Sequence, residues 1–329
     1  MKPNLFKFAT KELSQDRFLA WLLQWADPTN VGYGADLHHA ATDFVKRLVS
    51  LQDDALKEIT SVKADRQWEN IDVWAEVNES HLIIIEDKVG TGEHSGQLAR
   101  YRENAANWCR ENGRKLVCVY LKTHSDSSAN LKLIEAQGYA VFNRSELLEF
   151  LNAHETDNDI YNDFRDRLRE IEAKECAFTE VPIGRWEAEE WKGFYQALEK
   201  TRGLHNWGYV PNPAGGFLNA VLNWFECDDA YPYMQIEQGP LCFKVGGVET
   251  NRREIRGLYH SMLMDAAEPE MELQRPRFRT GTYMTVARVE RQTWLGADDD
   301  LVDLAAVIQR LATYEQLLIR VLDTHHPTP

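Results

Sequence analysis

Apolar residues recur at near-helical spacing over residues 11–26, where Leu13, Phe18, Leu19, Leu22, Leu23 and Trp25 form a stripe that stops before Asp27-Pro28. After the Gly32-Tyr33-Gly34 loop, a second helix is predicted over 36–51, with Leu37, Ala40, Ala41, Phe44, Val45 and Leu48 inward. The pattern then changes period. Residues 56–66, 70–77 and 81–88 read as three consecutive strands, and the run Leu82-Ile83-Ile84-Ile85 lacks polar alternation, as a strand covered on both faces would. Gly90-Thr91-Gly92 breaks the chain before a helix over 93–111. Strands at 116–121 and 139–142 and helices at 145–153 and 158–173 follow.

Pro182 and Gly184 interrupt this pattern, which predicts a first domain over 1–175 and a second over 184–329. Helices at 186–201, 252–267 and 301–322, with strands at 218–227, 233–238, 241–245 and 283–289, make the second domain α+β. No repeat or low-complexity tract occurs. Five of the ten tryptophans lie in the second domain, which carries no catalytic signature.

Composition narrows the class. A chain of 329 residues that is 43% hydrophobic and 27% charged can bury large cores, and no apolar run approaches the ~20 residues of a membrane span. The start, Met1-Lys2-Pro3-Asn4, has no apolar signal core, and five scattered cysteines without C-x-x-C spacing suit reduced thiols, so a cytoplasmic location is expected. The net charge is −15, and residues 1–175 carry 22 basic against 30 acidic side chains. That balance weighs against tight non-specific nucleic-acid binding, which draws on Lys and Arg.

The chemistry concentrates in Ile71-Asp72-Val73-Trp74 and Ile84-Ile85-Glu86-Asp87-Lys88. Alternation puts Glu86 and Lys88 on one face of their strand and the Asp87 side chain on the other, where a structural role is expected. A hairpin centred on residue 79 sets Asp72 across from Glu86. Two carboxylates and an ammonium converging on one end of a buried hairpin are costly for structure alone. They suit a divalent-metal site.

This arrangement resembles the PD-(D/E)XK nuclease superfamily, with Asp72, Glu86 and Lys88 as its acid, acid and lysine; Ile71 stands where the motif has proline. The resemblance covers about 1–175. It extends to Glu12-Leu13-Ser14-Gln15-Asp16 on the first helix and to His94-Ser95-Gly96-Gln97-Leu98-Ala99-Arg100-Tyr101, both found in a bacterial branch of the family. It implies an α/β (α+β) fold, a restriction-endonuclease-like core with a central mixed sheet flanked by helices, followed here by the C-terminal α+β domain.

The resemblance also implies a Mg2+-dependent endonuclease, with Mn2+ able to substitute, that hydrolyses nucleic acid, DNA before RNA, in phage defence or DNA processing. Asp72, Glu86 and the backbone carbonyl of Asp87 are the expected metal ligands. Glu12 is the candidate outlying acid, with Asp16, one turn later, as the alternative; both also suit a helix's first turn. Lys88 is expected to orient water or stabilise phosphate charge, because neighbouring carboxylates favour its charged form. Gln97 is assigned to the metal site or the substrate backbone. Tyr101 and His94 are substrate-binding candidates, with core packing and helix capping as their alternatives.

A homodimer or a protein partner is compatible with this reading, and so is a non-cleaving binding module that keeps the nuclease fold. His38-His39 is expected to be an ordinary helical pair without a companion ligand at metal spacing. Arg275, Arg277, Phe278 and Arg279, with Arg252, Arg253 and Arg256, are expected to be solvated surface charge.

Overall fold

A computed structural model describes residues 3–54, 56–89, 96–212, 215–227 and 230–325. The chain divides after Glu172 into two compact units.

In the first unit, α1 (Glu12–Trp25) and α2 (Ala35–Ser50) precede a meander of β1 (Val62–Trp68), β2 (Ile71–Val77) and β3 (His81–Lys88). The helix α3 (Gln97–Asn112) leads to β4 (Lys115–Lys122), α4 (Ser128–Ala136), β5 (Ala140–Asn143), α5 (Arg144–Ala153) and α6 (Asp159–Cys176). Strand order follows sequence order, β1-β2-β3-β4-β5; the first three strands are antiparallel and β4 and β5 run parallel to β3. The predicted central mixed sheet is therefore present. β3 lies in its middle, and all eight of its residues are buried.

The two faces of this sheet have separate cores. Val73, Ala75, Ile83, Ile85, Val117 and Val119 pack with Leu19, Leu22 and Leu23 of α1 and Phe44, Val45 and Leu48 of α2. Leu82, Ile84, Cys118 and Tyr120 pack with Leu98, Tyr101 and Ala105 of α3 and Ile134 of α4. Covering both faces is what makes the unbroken Leu82–Ile85 run necessary, since no side chain there meets water.

The first strand begins at Val62 rather than 56. Residues 58–61 are held instead by Asn78 at the β2–β3 turn. Its Oδ1 accepts from Thr60 N (2.7 Å) and Ser61 N (3.1 Å), and its Nδ2 donates to the Glu58 carbonyl (2.6 Å). Asn78 and Glu79 both adopt positive φ, a conformation Asn tolerates at such tips. The helix predicted from 93 is described from Gln97, with Gly96 at φ 79° before it; 90–95 lie outside the described residues. The helix α4 had no strong apolar period and was not expected from the pattern; Ser127 caps it by accepting from Asn130 N.

The second unit contains α7 (Ala188–Arg202), β6 (Asn206–Val210), β7 (Phe217–Val221), β8 (Tyr231–Ile236), β9 (Leu241–Gly246), α8 (Arg252–Ala266), β10 (Met284–Val289), α9 (Arg291–Trp294) and α10 (Leu304–His325). Its sheet is an antiparallel meander, β10-β9-β8-β7-β6. One face packs Met234, Ile236, Phe243 and Val289 with Phe194, Tyr259, Leu311 and Leu317 of α7, α8 and α10. The expected strand over 218–227 ends at Val221, and β6 was not expected; Gly208 interrupts its apolar alternation. No helix is long and apolar enough to cross a membrane among the described residues.

Candidate metal centre

The β2–β3 register pairs Val73 with Ile85 and Trp74 with Ile84. One step further, Asp72 lies opposite Glu86, at the ends of the two strands. The adjacency is direct, because the Asp87 backbone N–H donates to Asp72 Oδ2 at 3.1 Å.

Lys88 is the focus of this strand end. Its Nζ lies 2.6 Å from Glu86 Oε1, 3.5 Å from Asp72 Oδ2 and 3.9 Å from Glu12 Oε2. It also donates to the Asp87 carbonyl at 3.1 Å. Glu12 arrives from the first turn of α1, where its Oε1 also accepts from Val89 N at 3.3 Å. Gln97 opens α3, and its Nε2 donates to Glu86 Oε1 (2.8 Å) and to the Tyr101 hydroxyl (3.2 Å) one turn on.

Asp87 faces the other side of the sheet, as alternation requires, and its carboxylate is fully buried beneath α1. Gln15 donates to Asp87 Oδ1, and Thr123, just beyond β4, donates from its hydroxyl to Gln15 Oε1 at 3.0 Å. Asp16 stands beside Asp87, and the two carboxyl groups interact on the α1 side of the sheet.

These environments shift the acids in one direction. Burial first, then the charge of Asp72, raises Glu86 to about 7 in spite of its bond to Lys88. The same two causes, in the same order, raise Asp16 to about 6. Burial, then Asp16, holds Asp87 well above the usual carboxylate range. For Lys88, burial alone would lower the value, but the Glu86 bond and the charges of Glu86, Asp72 and Glu12 outweigh it and hold the ammonium above the ordinary lysine value.

The donor set fits a hard divalent cation. No donor among the described residues reaches Glu86 Oε2, Asp87 Oδ2 or Asp16 Oδ1, all three buried. Such orphaned carboxylate oxygens cost stability unless a proton or a cation meets them. All available donors are oxygens, the ligands Mg2+ and Mn2+ prefer.

A family profile for the PD-(D/E)XK nuclease superfamily matches residues 3–176. The chain belongs to the PD-(D/E)XK nuclease superfamily. The match ends with the last residue of α6, so it takes in α1 with Glu12, the β2–β3 hairpin and α3. Superfamily members are nucleases that typically use divalent metals. No curated protein and no solved structure matches the chain significantly.

The fold of this PD-(D/E)XK chain brings Asp72, Glu86, Lys88, Glu12 and Gln97 to one strand end and sets Tyr101 behind Gln97. Asp16 stands with Asp87 on the α1 side. His94 lies outside the described residues. Gln15 and Thr123 were missed by sequence reasoning. Gln15 stood in the Glu12–Asp16 run, but nothing local told that its amide meets a buried acid 72 residues away.

Two expectations are corrected. His39 does have companions, Asp43 and His154, as described below. The basic strip is partly folded inward, for the Arg256 and Arg275 guanidinium groups lie 4.4 and 4.7 Å from the Phe278 ring, and buried Arg256 donates to the Arg279 carbonyl.

Proposed function

We propose that this protein is a Mg2+-dependent endonuclease that hydrolyses phosphodiester bonds of DNA, with Mn2+ able to substitute. The observation that carries the proposal is the strand-end cluster of Asp72, Glu86 and Lys88 backed by buried carboxylate oxygens that no donor reaches. In this reading Asp72, Glu86 and the Asp87 carbonyl hold the metal, with Glu12 or Asp16 as the outlying acid. A divalent cation bound there supplies charge stabilisation at the phosphate and makes water more acidic.

The residues of the chain do the rest. Lys88 keeps its protons under four nearby acceptors, so it serves as a hydrogen-bond donor and a fixed positive charge for a phosphate oxygen rather than as a base. Gln97 holds Glu86 Oε1 from α3, fixing the direction of the carboxylate. Gln15 and Thr123 do the same for Asp87 from the opposite face and so steady the backbone carbonyl between Glu86 and Lys88.

We assign the second unit the choice of substrate or partner, on the strength of its separate core and its exposed Tyr209, Tyr231 and Tyr283. The net charge of −15 supports a second reading, a non-cleaving module that acts through a partner. A cleavage panel of single- and double-stranded DNA and RNA with Mg2+ or Mn2+, run beside Asp72→Asn and Lys88→Ala, separates the two. Metal-dependent cleavage lost in both variants supports the nuclease. Folded protein that cuts none of the substrates favours the module.

A further inference from the structure

His38 and His39 are adjacent on α2 but do different things. His38 Nδ1 meets the Trp25 carbonyl at 2.8 Å and ties α2 to the end of α1. His39 points elsewhere. Its Nε2 lies 3.5 Å from Asp43 Oδ2, one turn along the same helix face. From the C-terminal end of α5, His154 brings its own Nε2 to that same oxygen at 3.1 Å. The three ligand atoms lie within 4.8 Å of one another, and among the described residues this is the one such group of His, Cys or carboxylate side chains found.

The hydrogen bonding of His154 fixes which nitrogen it turns to Asp43. Its Nδ1 faces the Phe150 carbonyl at 2.9 Å. A carbonyl can only accept, so Nδ1 carries the hydrogen, and in the neutral ring Nε2 is a bare lone pair. That lone pair points at a carboxylate oxygen. Two acceptors 3.1 Å apart need a positive species between them, a proton on Nε2 or a metal ion. A ring nitrogen fixed by a backbone carbonyl on its other side is also how proteins aim a histidine at a metal.

We propose that His39, Asp43 and His154 form a second metal site that takes a borderline transition-metal ion, Zn2+, and clips α2 to the end of α5. It shares no residue with the acidic centre. Two imidazoles and one carboxylate suit Zn2+ rather than the Mg2+ favoured by an all-oxygen set. Zn–N and Zn–O bonds of ~2.0–2.1 Å set tetrahedral ligand atoms about 3.3 Å apart; the two separations from Asp43 Oδ2, 3.1 and 3.5 Å, bracket that value, and the two imidazole nitrogens lie within 4.8 Å of each other. The His39 side chain is 72% exposed, which leaves the fourth position to solvent, while Phe150 backs the His154 ring at 4.5 Å.

The test is Zn2+ uptake by the metal-free full-length protein, measured by chelator competition beside His39→Ala and His154→Gln, with Co2+ as a spectroscopic probe. Wild type is expected to take up one more equivalent of Zn2+ than either variant, or to bind that equivalent about tenfold more tightly or better. Its Co2+ form is expected to show the visible bands of a four-coordinate site that His39→Ala lacks. His39 is exposed, so its loss leaves the fold intact and the comparison meaningful. Equal Zn2+ uptake and affinity in wild type and His39→Ala, or wild-type binding at this site weaker than about 10 µM, overturns the proposal. DNA cleavage does not enter the measurement, so the result stands apart from that of the cleavage panel.

Discussion

Glu86 and Asp87 are neighbours on β3, yet their carboxylates leave opposite faces of the sheet, and each keeps one buried oxygen that no donor among the described residues reaches. Glu86 turns to Lys88 and Gln97, Asp87 to Gln15 and Asp16. The strand end is thus loaded with negative charge from both sides, and Lys88 answers it on one side. Under the proposed function, a divalent cation on the Glu86 side adds to what Lys88 offsets there.

Removing an acid should therefore help the metal-free fold while ending activity. Glu86→Gln is expected to stabilise the metal-free protein at pH 8 by on the order of 1–3 kcal/mol, because a neutral side chain replaces a carboxylate whose ionised form burial disfavours. The same variant, like Asp72→Asn and Lys88→Ala, is expected to lose cleavage. Thermal melts in chelator alongside the cleavage assay check both halves; a destabilised Glu86→Gln would mean that its bond to Lys88 outweighs the burial.

Acid should stabilise the metal-free protein. Glu86 rises from 4.5 to about 7 and Asp16 from 3.8 to about 6 on folding, so the folded state holds these protons more tightly than the unfolded chain. Their contribution is complete below about pH 4 and is lost as pH climbs through 6 and 7. Tm in chelator should fall between pH 5 and 8 on their account, and Mg2+ or Mn2+ should raise Tm more at pH 8 than at pH 5.5, where protons compete with the metal. Equal metal stabilisation at the two pH values would refute this.

Gln15→Leu should be costly despite its distance in sequence from the motif. It strips the donor from buried Asp87 and the acceptor from Thr123, a loss of about 1–3 kcal/mol by denaturant unfolding. Cleavage should fall with it, because Asp87 then no longer steadies the carbonyl beside Glu86. Gln15→Glu, which keeps the shape but adds a charge, should be worse than Gln15→Leu. If Gln15→Leu unfolds like the wild type, the Gln15 bond does not support the site.

Gln97 and Tyr101 should separate by kinetics. Gln97→Ala frees Glu86 Oε1 of its α3 contact and is expected to lower kcat about tenfold or more. Tyr101→Phe removes a hydroxyl that serves Gln97 alone among the bonds described here, and is expected to cost only a fewfold. A Tyr101→Phe loss as large as that of Gln97→Ala would place the hydroxyl on the substrate.

What the sequence made legible follows the range of the interaction. The β2–β3 hairpin is local, and period-two alternation with a polar tip was enough to set Asp72 against Glu86 and to send Asp87 the other way. Glu12 and Gln97 came from the resemblance, since their distance from the hairpin gives no local signal. Gln15 to Asp87 and His39 to His154 could not be seen, because each depends on how a helix lies on a strand or on another helix. The strand β6 was hidden for a different reason, as glycine at 208 gives the pattern no side chain to show.

The tip of that hairpin governs the site from the far end of the strand. Asn78 fixes where β2 stops and β3 starts by gripping Glu58, Thr60 and Ser61. A pleated strand has only two settings for each side chain, so the tip acts as the reading frame of β3. Deleting Glu79 at the tip would present Asp87 where Glu86 now stands and turn Glu86 and Lys88 under α1. The nuclease could thus be switched off by a frameshift in space, with every residue of its proposed metal centre still in the chain.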